Sequence, residues 1–363
     1  MGKRLAFMGA GAVGSYVGGH LSRAGADVTL IDPWPDHIEA IKRDGLKLEG
    51  TQGEHLVHPN ALHLHEVQSL FKDPVEIAFV CTKSYDTVWA TTMISQYLAP
   101  GGFIVSLQNS INEERIASVV GWGRVVGCIA SSISVNAYAP GHVTRTVQPG
   151  GPGYTVFRIG EVHGRITPRV EEIAEMLGAI DSAKATTNLW GERWSKLVTN
   201  SSSNGVSAIT GLGGKDMAQN PETRRLSIQL AGEAIAVGEA LGFQIENVRG
   251  LPPSVLRRAS QGDREAFEQV EANTLKSIAR MTDEGRPSTG QDIQKGRRTE
   301  IDFLNGLVAD KGDEAGIVAP THRALVQVVK EVERQEVAPS PGLVDRVWEL
   351  SGVRPVAVAQ VAR

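Results

Sequence analysis

The stretch LAFMGAGAVG, residues 5–14, decides the fold of this chain, because an apolar run leads directly into three spaced glycines. The spacing G-x-G-x-x-G after a strand and at the start of a helix is typical of a loop that binds the pyrophosphate of a dinucleotide. Gly9 permits a tight turn, Gly11 lets the backbone approach the phosphates, and Gly14 lets the helix pack closely on the strand. Free N–H groups at the helix start then face the anion. The sequence therefore predicts a dinucleotide site here.

A second apolar run, residues 28–31, ends at Asp32, eighteen residues after Gly14. A carboxylate at this point accepts hydrogen bonds from the adenosine ribose hydroxyls and repels a 2′-phosphate. Residues 33–36 contain no Arg or Lys that would receive such a phosphate. We therefore expect NAD as the preferred cofactor, with NADP as the other candidate. The alternative is that Asp32 only caps the following helix.

Short apolar runs alternate with helical stretches up to about residue 159. Strands are predicted near 4–8, 28–31, 76–81, 103–107 and 125–130, and helices near 12–25, 35–44, 84–98 and 112–120. This alternation predicts an α/β domain of Rossmann type, a doubly wound parallel sheet covered by helices. Two further runs, 142–147 and 154–159, flank a turn-rich segment and predict a hairpin that closes the sheet.

Beyond about residue 167 the alternation ends, and apolar residues recur at helical spacing, which predicts an all-α domain. We expect three parts: a dinucleotide-binding domain 1–166, a helical substrate domain 167–335 and a C-terminal extension 336–363. The extension contains a short amphipathic helix with Leu343, Val347 and Leu350 on one face. This helix either extends the core or belongs to a subunit contact.

Composition excludes several classes of protein. Lys and Arg total 37 and Asp and Glu total 41, a formal net charge of −4, so nothing favours nucleic acid or an anionic membrane surface. No window reaches the eighteen or so apolar residues that a membrane span needs. Two cysteines, Cys81 and Cys128, lie in apolar runs and form no disulfide framework. We expect a cytoplasmic protein whose partner is a small molecule.

Four histidines, His55, His58, His63 and His65, lie within eleven residues and invite a metal interpretation. They flank a predicted hairpin turn at 59–60, without a nearby Cys. We therefore predict no metal site.

A polar stripe is predicted in the helical domain. Lys196, Asn200 and Asn204 have i, i+4 and i+8 spacing and share one face of a continuous helix. Such a stripe lines a polar cleft for a carbonyl and a hydroxyl group, or it is merely a solvated helix face.

A second polar group follows about ninety residues later. Ser288 and Gln291 have capping-box spacing, so Ser288 is expected to start a helix that carries Asp292 and Glu300. A serine at a helix N-terminus is suited to binding a carboxylate.

Together these motifs resemble the ketopantoate reductase family. The resemblance rests on the glycine loop, on the Lys-x3-Asn-x3-Asn stripe, on the segments 286–292 and 296–306, and on KSYD at 83–86 and QNS at 108–110. The motifs occur in the family's order over roughly residues 3–335. The resemblance implies a helical domain similar to the C-terminal domain of 6-phosphogluconate dehydrogenase, and a homodimer.

The resemblance also implies roles for individual residues. Lys196 is the expected general acid, Glu300 holds the substrate hydroxyl, and Asn109 lies near the nicotinamide and the reacting carbonyl. Asn200, Asn204 and Ser288 are expected to bind the substrate, the last through its carboxylate. The expected cofactor-binding residues are Gly9, Gly11, Ala12, Val13, Gly14, Asp32, Lys83 and Asn109.

The expected activity is interconversion of a small 2-oxo acid and its 2-hydroxy acid in a cleft between the domains, with ketopantoate to pantoate as the leading candidate. Asp32, the longer chain and the loop 211–214, which lacks an expected Asn, favour an alternative, an NAD-dependent dehydrogenase of another hydroxy acid. A dinucleotide-sensing protein without turnover is the rival from another class. It has no need of a proton donor such as Lys196.

Overall fold

The computed structural model describes residues 2–131, 133–149, 154–281 and 285–355. The chain divides into two compact units, Met1–Leu189 and Trp190–Arg363. The expected boundary after residue 166 therefore falls earlier than the observed division. The difference arises because a helix and a short strand after residue 167 still pack on the sheet of the first unit.

The elements of the first unit, in chain order, are β1 (Arg4–Met8), α1 (Ala12–Arg23), β2 (Asp27–Asp32), α2 (Pro35–Asp44), β3 (Leu46–Gly50), β4 (His55–Val57), β5 (Asn60–His63), β6 (Val75–Val80), α3 (Thr87–Ser95), β7 (Leu98–Ser106), α4 (Glu113–Val120), β8 (Val125–Ala130), β9 (Val135–Ala139), β10 (His142–Arg145), β11 (Phe157–Glu161), α5 (Pro168–Gly178) and β12 (Ala183–Ala185).

The main sheet has eight strands in the order β12-β11-β8-β7-β6-β1-β2-β5. The six strands from β8 to β5 run parallel, and β11 pairs antiparallel with β8. Along β1, Leu5 and Phe7 enter one buried cluster, whereas Ala6 and Met8 enter another. Because successive strand residues point to opposite faces, both faces of this sheet are covered. The predicted doubly wound α/β fold is confirmed.

The predicted hairpin of 142–147 with 154–159 is wrong. Strand β10 pairs with β9 and β3 in a separate four-stranded sheet, ordered β4-β3-β10-β9. The turn between β9 and β10 contains Gly141, whose φ is +72°. Strand β11 joins the main sheet instead, and the predicted turn residues 150–153 lie outside the described part of the chain.

The predicted hairpin around residues 59–60 is also wrong, because β4 pairs with β3 whereas β5 pairs with β2 in the main sheet. His63 Nε2 lies 2.6 Å from Glu39 Oε1, and its ring stacks on that of His65. Among the described residues, no group of three His, Cys, Asp or Glu side chains is placed to hold a metal ion.

The second unit is helical, as predicted. Its helices are α6 (Leu189–Ser201), α7 (Asn204–Thr210), α8 (Gly214–Gln219), α9 (Pro221–Ala240), α10 (Pro253–Ser260), α11 (Arg264–Ser277), α12 (Ser288–Gln294), α13 (Leu307–Ala315), α14 (Pro320–Glu333) and α15 (Leu343–Ser351). None of the helices in the described ranges is long and apolar enough to cross a membrane.

Helix α15 extends the core of this unit. Its buried residues are Val344, Val347 and Trp348, which join the cluster formed by α7, α9 and α14. Leu350, predicted on the apolar face, is 45 % exposed. The buried face of α15 therefore includes Trp348 and not Leu350. The large indole gains more from burial than a leucine at the helix end.

Candidate active site

The glycine loop 9–14 joins β1 to α1. Gly9 has a φ of +98°, and a Cβ there would lie 2.8 Å from the amide nitrogen of Thr82, so both conformation and space require glycine. A Cβ at Gly14 would overlap the carbonyl oxygen of Gly9. Gly11 differs, because it is exposed and a Cβ there would meet nothing within 4 Å. Its backbone is therefore open to a ligand.

The first turn of α1 presents N–H groups. Ser15 donates the first backbone hydrogen bond of the helix, to the carbonyl of Gly11 at 2.9 Å. The amides of Ala12, Val13 and Gly14 therefore have no acceptor within the helix. No acidic side chain lies in this turn. These amides and the positive end of the helix dipole suit the negative charge of a pyrophosphate.

A buried hydrogen-bond network that the sequence did not reveal supports the glycine loop 9–14. Ser15 Oγ donates to the carbonyl of Ala10 at 2.6 Å and lies 3.0 Å from His37 Nε2. The amide of Gly141 donates to His37 Nδ1, so the ring proton is on Nε2 and is donated to Ser15. Burial lowers the pKa of His37 to about 4, so the ring is neutral at pH 7. His37 and Gly141 lie far along the chain from Ser15, so no local motif links them.

Asp32 ends β2 and is half-buried. Its Oδ1 accepts a hydrogen bond from the amide of Trp34 at 2.9 Å. Trp34 itself occupies the N-cap position of α2, without a side-chain capping bond. Asp32 thus shapes the turn before the helix and is not its N-cap. A carboxylate has about four acceptor sites, so this bond is compatible with ribose binding.

The loops after β6 and β7 lie at the same edge of the sheet as the glycine loop, because all three strands are parallel. Gln108 Nε2 ties them together by donating to the carbonyl of Thr82 at 2.8 Å and to Thr87 Oγ1 at 2.9 Å. Lys83 and Asn109, both expected near the cofactor, lie half-buried in these loops. Ligands of open α/β sheets bind at this carboxyl edge.

The conformation around Asn109 is held locally. Asn112 Nδ2 donates to the carbonyl of Asn109 at 2.8 Å and to Ser84 Oγ at 3.1 Å. Ser110 has a φ of +68°, which is uncommon for a residue other than glycine. Such strained positions cluster at functional sites.

The hydroxyl of Thr82 is a further polar group that the sequence did not single out. It is buried and has no hydrogen-bond partner among the residues that the structure describes. The backbone of Thr82 adjoins Gly9, since its amide nitrogen would lie 2.8 Å from a Cβ at that glycine. Together with the open backbone at Gly11 and the amides of α1, this orphaned group fits a bound dinucleotide.

In the helical unit, Lys196 and Asn200 lie one turn apart on α6 and are half-buried. Trp194 fixes the rotation of this helix, because its Nε1 donates to the carbonyl of Ala234 at 2.8 Å. A Cβ at Gly238 would overlap the indole ring. The close approach of α6 to α9 therefore sets the direction of the polar stripe.

The predicted continuous helix through Asn204 is wrong. Helix α6 ends at Ser201, and Asn204 begins α7. The hydroxyls of Ser202 and Ser203 both donate to the carbonyl of Thr199, at 3.1 and 2.8 Å. Serine side chains compete in this way with backbone hydrogen bonds, so the run of three serines ends the helix.

The predicted capping box at Ser288 does not form. Pro287 holds the N-cap position, and Gln291 Nε2 donates instead to the carbonyl of Arg286 at 2.9 Å. Because helix α12 begins at Ser288 itself, the hydroxyl is displaced from the capping position. It accepts a hydrogen bond from Asn204 Nδ2 at 3.1 Å. Two expected substrate-binding residues are thus brought together.

Glu300 does not lie on the helix that starts at Ser288, contrary to expectation. Helix α12 ends at Gln294, and Gly296, with a φ of +60°, follows it. Glu300 precedes a π-helical turn, Asp302–Gly306, that continues into α13. Its residue exposure is only 5 %. Turns of the π type frequently occur at functional sites.

The segment from Glu300 to Asn305 packs against the break between α6 and α7. Asn305 Nδ2 donates to the carbonyl of Ser201 at 2.8 Å. A Cβ at Gly205 would lie 3.1 Å from Ile301 Cδ1. The chain next to Glu300 therefore touches the chain next to Asn204, which is itself bonded to Ser288.

Two family models match this chain. The family model for ketopantoate reductase PanE/ApbA matches residues 5–160, and the model for its C-terminal part matches residues 188–333. The 2-dehydropantoate 2-reductase of Archaeoglobus fulgidus is 30 % identical over 333 residues, covering 91 % of this chain and 98 % of the relative.

Solved structures with a similar fold also match this chain. The PanE/ApbA family ketopantoate reductase from Ralstonia eutropha JMP134 has a TM-score of 0.74 at 27 % identity, covering 92 % of this chain and 99 % of its own. A D-mandelate dehydrogenase solved with NADH and anilino(oxo)acetate has a TM-score of 0.76 at 21 % identity, covering 92 % and 98 %, and shares the fold. The chain belongs to the ketopantoate reductase family.

Proposed function

We propose that this oxidoreductase reduces a small 2-oxo carboxylic acid to its 2-hydroxy acid with a nicotinamide cofactor, and ketopantoate to pantoate is the candidate reaction that the names of the relatives favour. The observation that carries the proposal is the polar group around the α6–α7 break, where Asn204 contacts Ser288. The names of the relatives support the substrate. A spectrophotometric screen of 2-oxo and 2-hydroxy acids with NAD(H) and NADP(H) tests it, and no turnover with any acid would contradict it.

The proposed chemistry assigns a task to each side chain. A nicotinamide cofactor held by the loop 9–14 would supply a hydride to the carbonyl carbon. As the C=O π bond breaks, negative charge would develop on the oxygen. Lys196 stabilises this charge and donates the proton that completes the hydroxyl group. Asn109 lies near the reacting carbonyl, and Glu300 accepts a hydrogen bond from a hydroxyl of the substrate.

The remaining residues position the acid. Asn200 and Asn204 donate to substrate oxygens, and Ser288 donates to the carboxylate. The contact between Asn204 and Ser288 supports this assignment, because it holds both groups at one place. A pre-positioned binding group loses little conformational freedom when the substrate arrives. In the reverse direction the neutral amine of Lys196 takes the proton from the hydroxyl.

We also propose that NAD(H) is preferred over NADP(H), since Asp32 ends β2 with no Arg or Lys in the next four residues. Asp32→Ala should reduce the difference in binding free energy between NADH and NADPH by about 1–2 kcal/mol, the size of a hydrogen bond to a charged group. Titration of both reduced cofactors, followed by protein fluorescence, measures it. Asp36→Ala removes an exposed carboxylate in the first turn of α2 and is the matched control. A wild-type preference for NADPH would refute the assignment.

Ser288→Ala should lower kcat/KM for the acid by roughly 10-fold, mainly through KM, because one hydrogen bond to the carboxylate is lost. Since Ser288 caps no helix by its side chain, the melting temperature should barely change. Ser351→Ala is the control, because that hydroxyl bonds only within α15 and its exit. Wild-type kinetics for Ser288→Ala across the acid panel would show that the residue does not bind the carboxylate.

Two rivals make different forecasts. A dinucleotide-sensing protein would bind cofactor without turnover of any acid. A dehydrogenase of another hydroxy acid would leave ketopantoate unreduced while oxidising a different acid with NAD.

We further propose a cytoplasmic homodimer. Neither Cys81 nor Cys128 forms a disulfide among the described residues, which is consistent with a reducing compartment. Light scattering on the purified protein measures the oligomeric state.

A further inference from the structure

A cavity of about 810 Å³ lies within the helical unit and is bounded mainly by α8, α9, α10 and α11. Ligand cavities in proteins span roughly 300–1,000 Å³, so this one is large enough for a molecule of drug size. The proposed mechanism makes no use of it.

The walls of the cavity are apolar where they are buried. Ile228, Ala231, Leu256 and Val270 line it and are at most 7 % exposed. The exposed lining includes the basic residues Arg249 and Lys276, whereas no Asp or Glu occurs among the described lining residues. This pattern suits a ligand with an apolar body and a negative charge.

The cavity adjoins the group of candidate substrate-binding residues. Ser203 and Pro287 line it, and the next residues along the chain are Asn204 and Ser288, which are hydrogen-bonded to each other at 3.1 Å. Arg249 also reaches this region, since its Nη2 donates to the carbonyl of Thr199 at 3.4 Å. An acid bound at the break between α6 and α7 would thus have the cavity next to it.

Gly214, the first residue of α8, leaves part of this space open. It lines the cavity, has no left-handed φ, and a Cβ there would lie 3.4 Å from the carbonyl oxygen of Gly285, an ordinary contact. The backbone therefore does not require glycine at this position. A side chain here would instead extend into the cavity and reduce its volume.

We infer that the cavity receives the side group of the substrate, and that 2-oxo acids with an aryl or long branched apolar side group are reduced more efficiently than ketopantoate. This inference rests on the proposed function. Ketopantoate carries only two methyl groups and a hydroxymethyl group beyond the oxo acid, which leaves most of the cavity unfilled. Burial of a larger apolar group adds binding energy in proportion to the area removed from water.

The test compares kcat/KM for pyruvate, ketopantoate, phenylglyoxylate and phenylpyruvate under one set of conditions. For the wild type we expect the better of the two phenyl acids to exceed ketopantoate at least 10-fold. In Gly214→Leu the ratio of phenyl acid to pyruvate should fall at least 10-fold, the discrimination that a few methylenes give in an apolar pocket. Ala231→Met, in the part of the lining formed by α9, should lower the same ratio and guards against a folding defect in the first variant.

Gly178→Leu in α5 is the matched control, since a Cβ at Gly178 meets nothing within 4 Å and the residue is exposed. Its ratios should equal those of the wild type. If ketopantoate is reduced but the phenyl acids are no better, or if neither cavity variant changes the ratio, the inference fails and the proposed function stands. If the wild type reduces no 2-oxo acid with either cofactor, the proposed function itself fails.

Discussion

Lys196→Ala should lose about 10² to 10⁴ in kcat, the range that a positioned general acid contributes, while the cofactor Kd stays near that of the wild type. Lys196 is half-buried on α6, and the contact of Trp194 with Gly238 sets the rotation of that helix. Without the ammonium, no group of comparable charge at that position would meet the developing alkoxide. Single-turnover rates with saturating cofactor measure the effect on the chemical step directly.

Lys311→Ala is the matched control for this variant. Lys311 lies on α13 and pairs with Glu314 at 2.8 Å on the surface. Its loss should leave turnover unchanged and shift the free energy of unfolding by no more than about 0.5 kcal/mol. If Lys196 were only a solvated helix residue, its alanine variant would behave in the same way. A Lys196→Ala enzyme within threefold of the wild type would therefore refute the proton-donor role.

The dependence on pH adds an independent measurement for the same residue. Reduction needs the protonated ammonium, so its rate should fall as pH rises. Oxidation needs the neutral amine as base, so its rate should rise over the same limb. Both limbs should disappear in Lys196→Ala. If the pH dependence of the wild-type rate persists in Lys196→Ala, it arises from a residue other than Lys196.

Local sequence predicted most of the first unit because its signals are short in range. The strand before Gly9 and the glycine spacing together require a βα turn, and both were recovered at their observed positions. The second sheet was missed because β3 pairs with β10 about a hundred residues away. Periodicity predicts a strand but contains no information about such a partner.

In the helical unit, the spacing of residues predicted the bounds of the helices incorrectly. The elements that carry the predicted site residues were wrong, because Ser202 and Ser203 end α6 before Asn204 is reached. Side-chain competition of this kind depends on rotamers that a spacing rule does not include. The bond between Asn204 and Ser288 joins residues 84 positions apart, so only the fold reveals it.

Gly11→Ala and Gly14→Ala should separate the two tasks of the glycine loop. A Cβ at Gly11 enters open space, so the melting temperature should stay within about 1 °C of the wild type. If a pyrophosphate approaches the backbone at Gly11 as we propose, the methyl group would occupy its place, so the cofactor Kd should rise at least 10-fold. Calorimetric titration of NADH alongside a thermal melt measures both quantities in each variant.

Gly14→Ala has a different physical effect, because its Cβ overlaps the carbonyl oxygen of Gly9 and one of them has to move. Overpacking of this kind costs about 1–3 kcal/mol, which lowers the melting temperature by several degrees and weakens NADH binding through the displaced loop. Gly123→Ala is the control, since that glycine is exposed and a Cβ there meets nothing within 4 Å. If Gly11→Ala bound NADH as tightly as Gly123→Ala does, the pyrophosphate would not approach the loop at Gly11, and the cofactor assignment of residues 9–14 would be wrong.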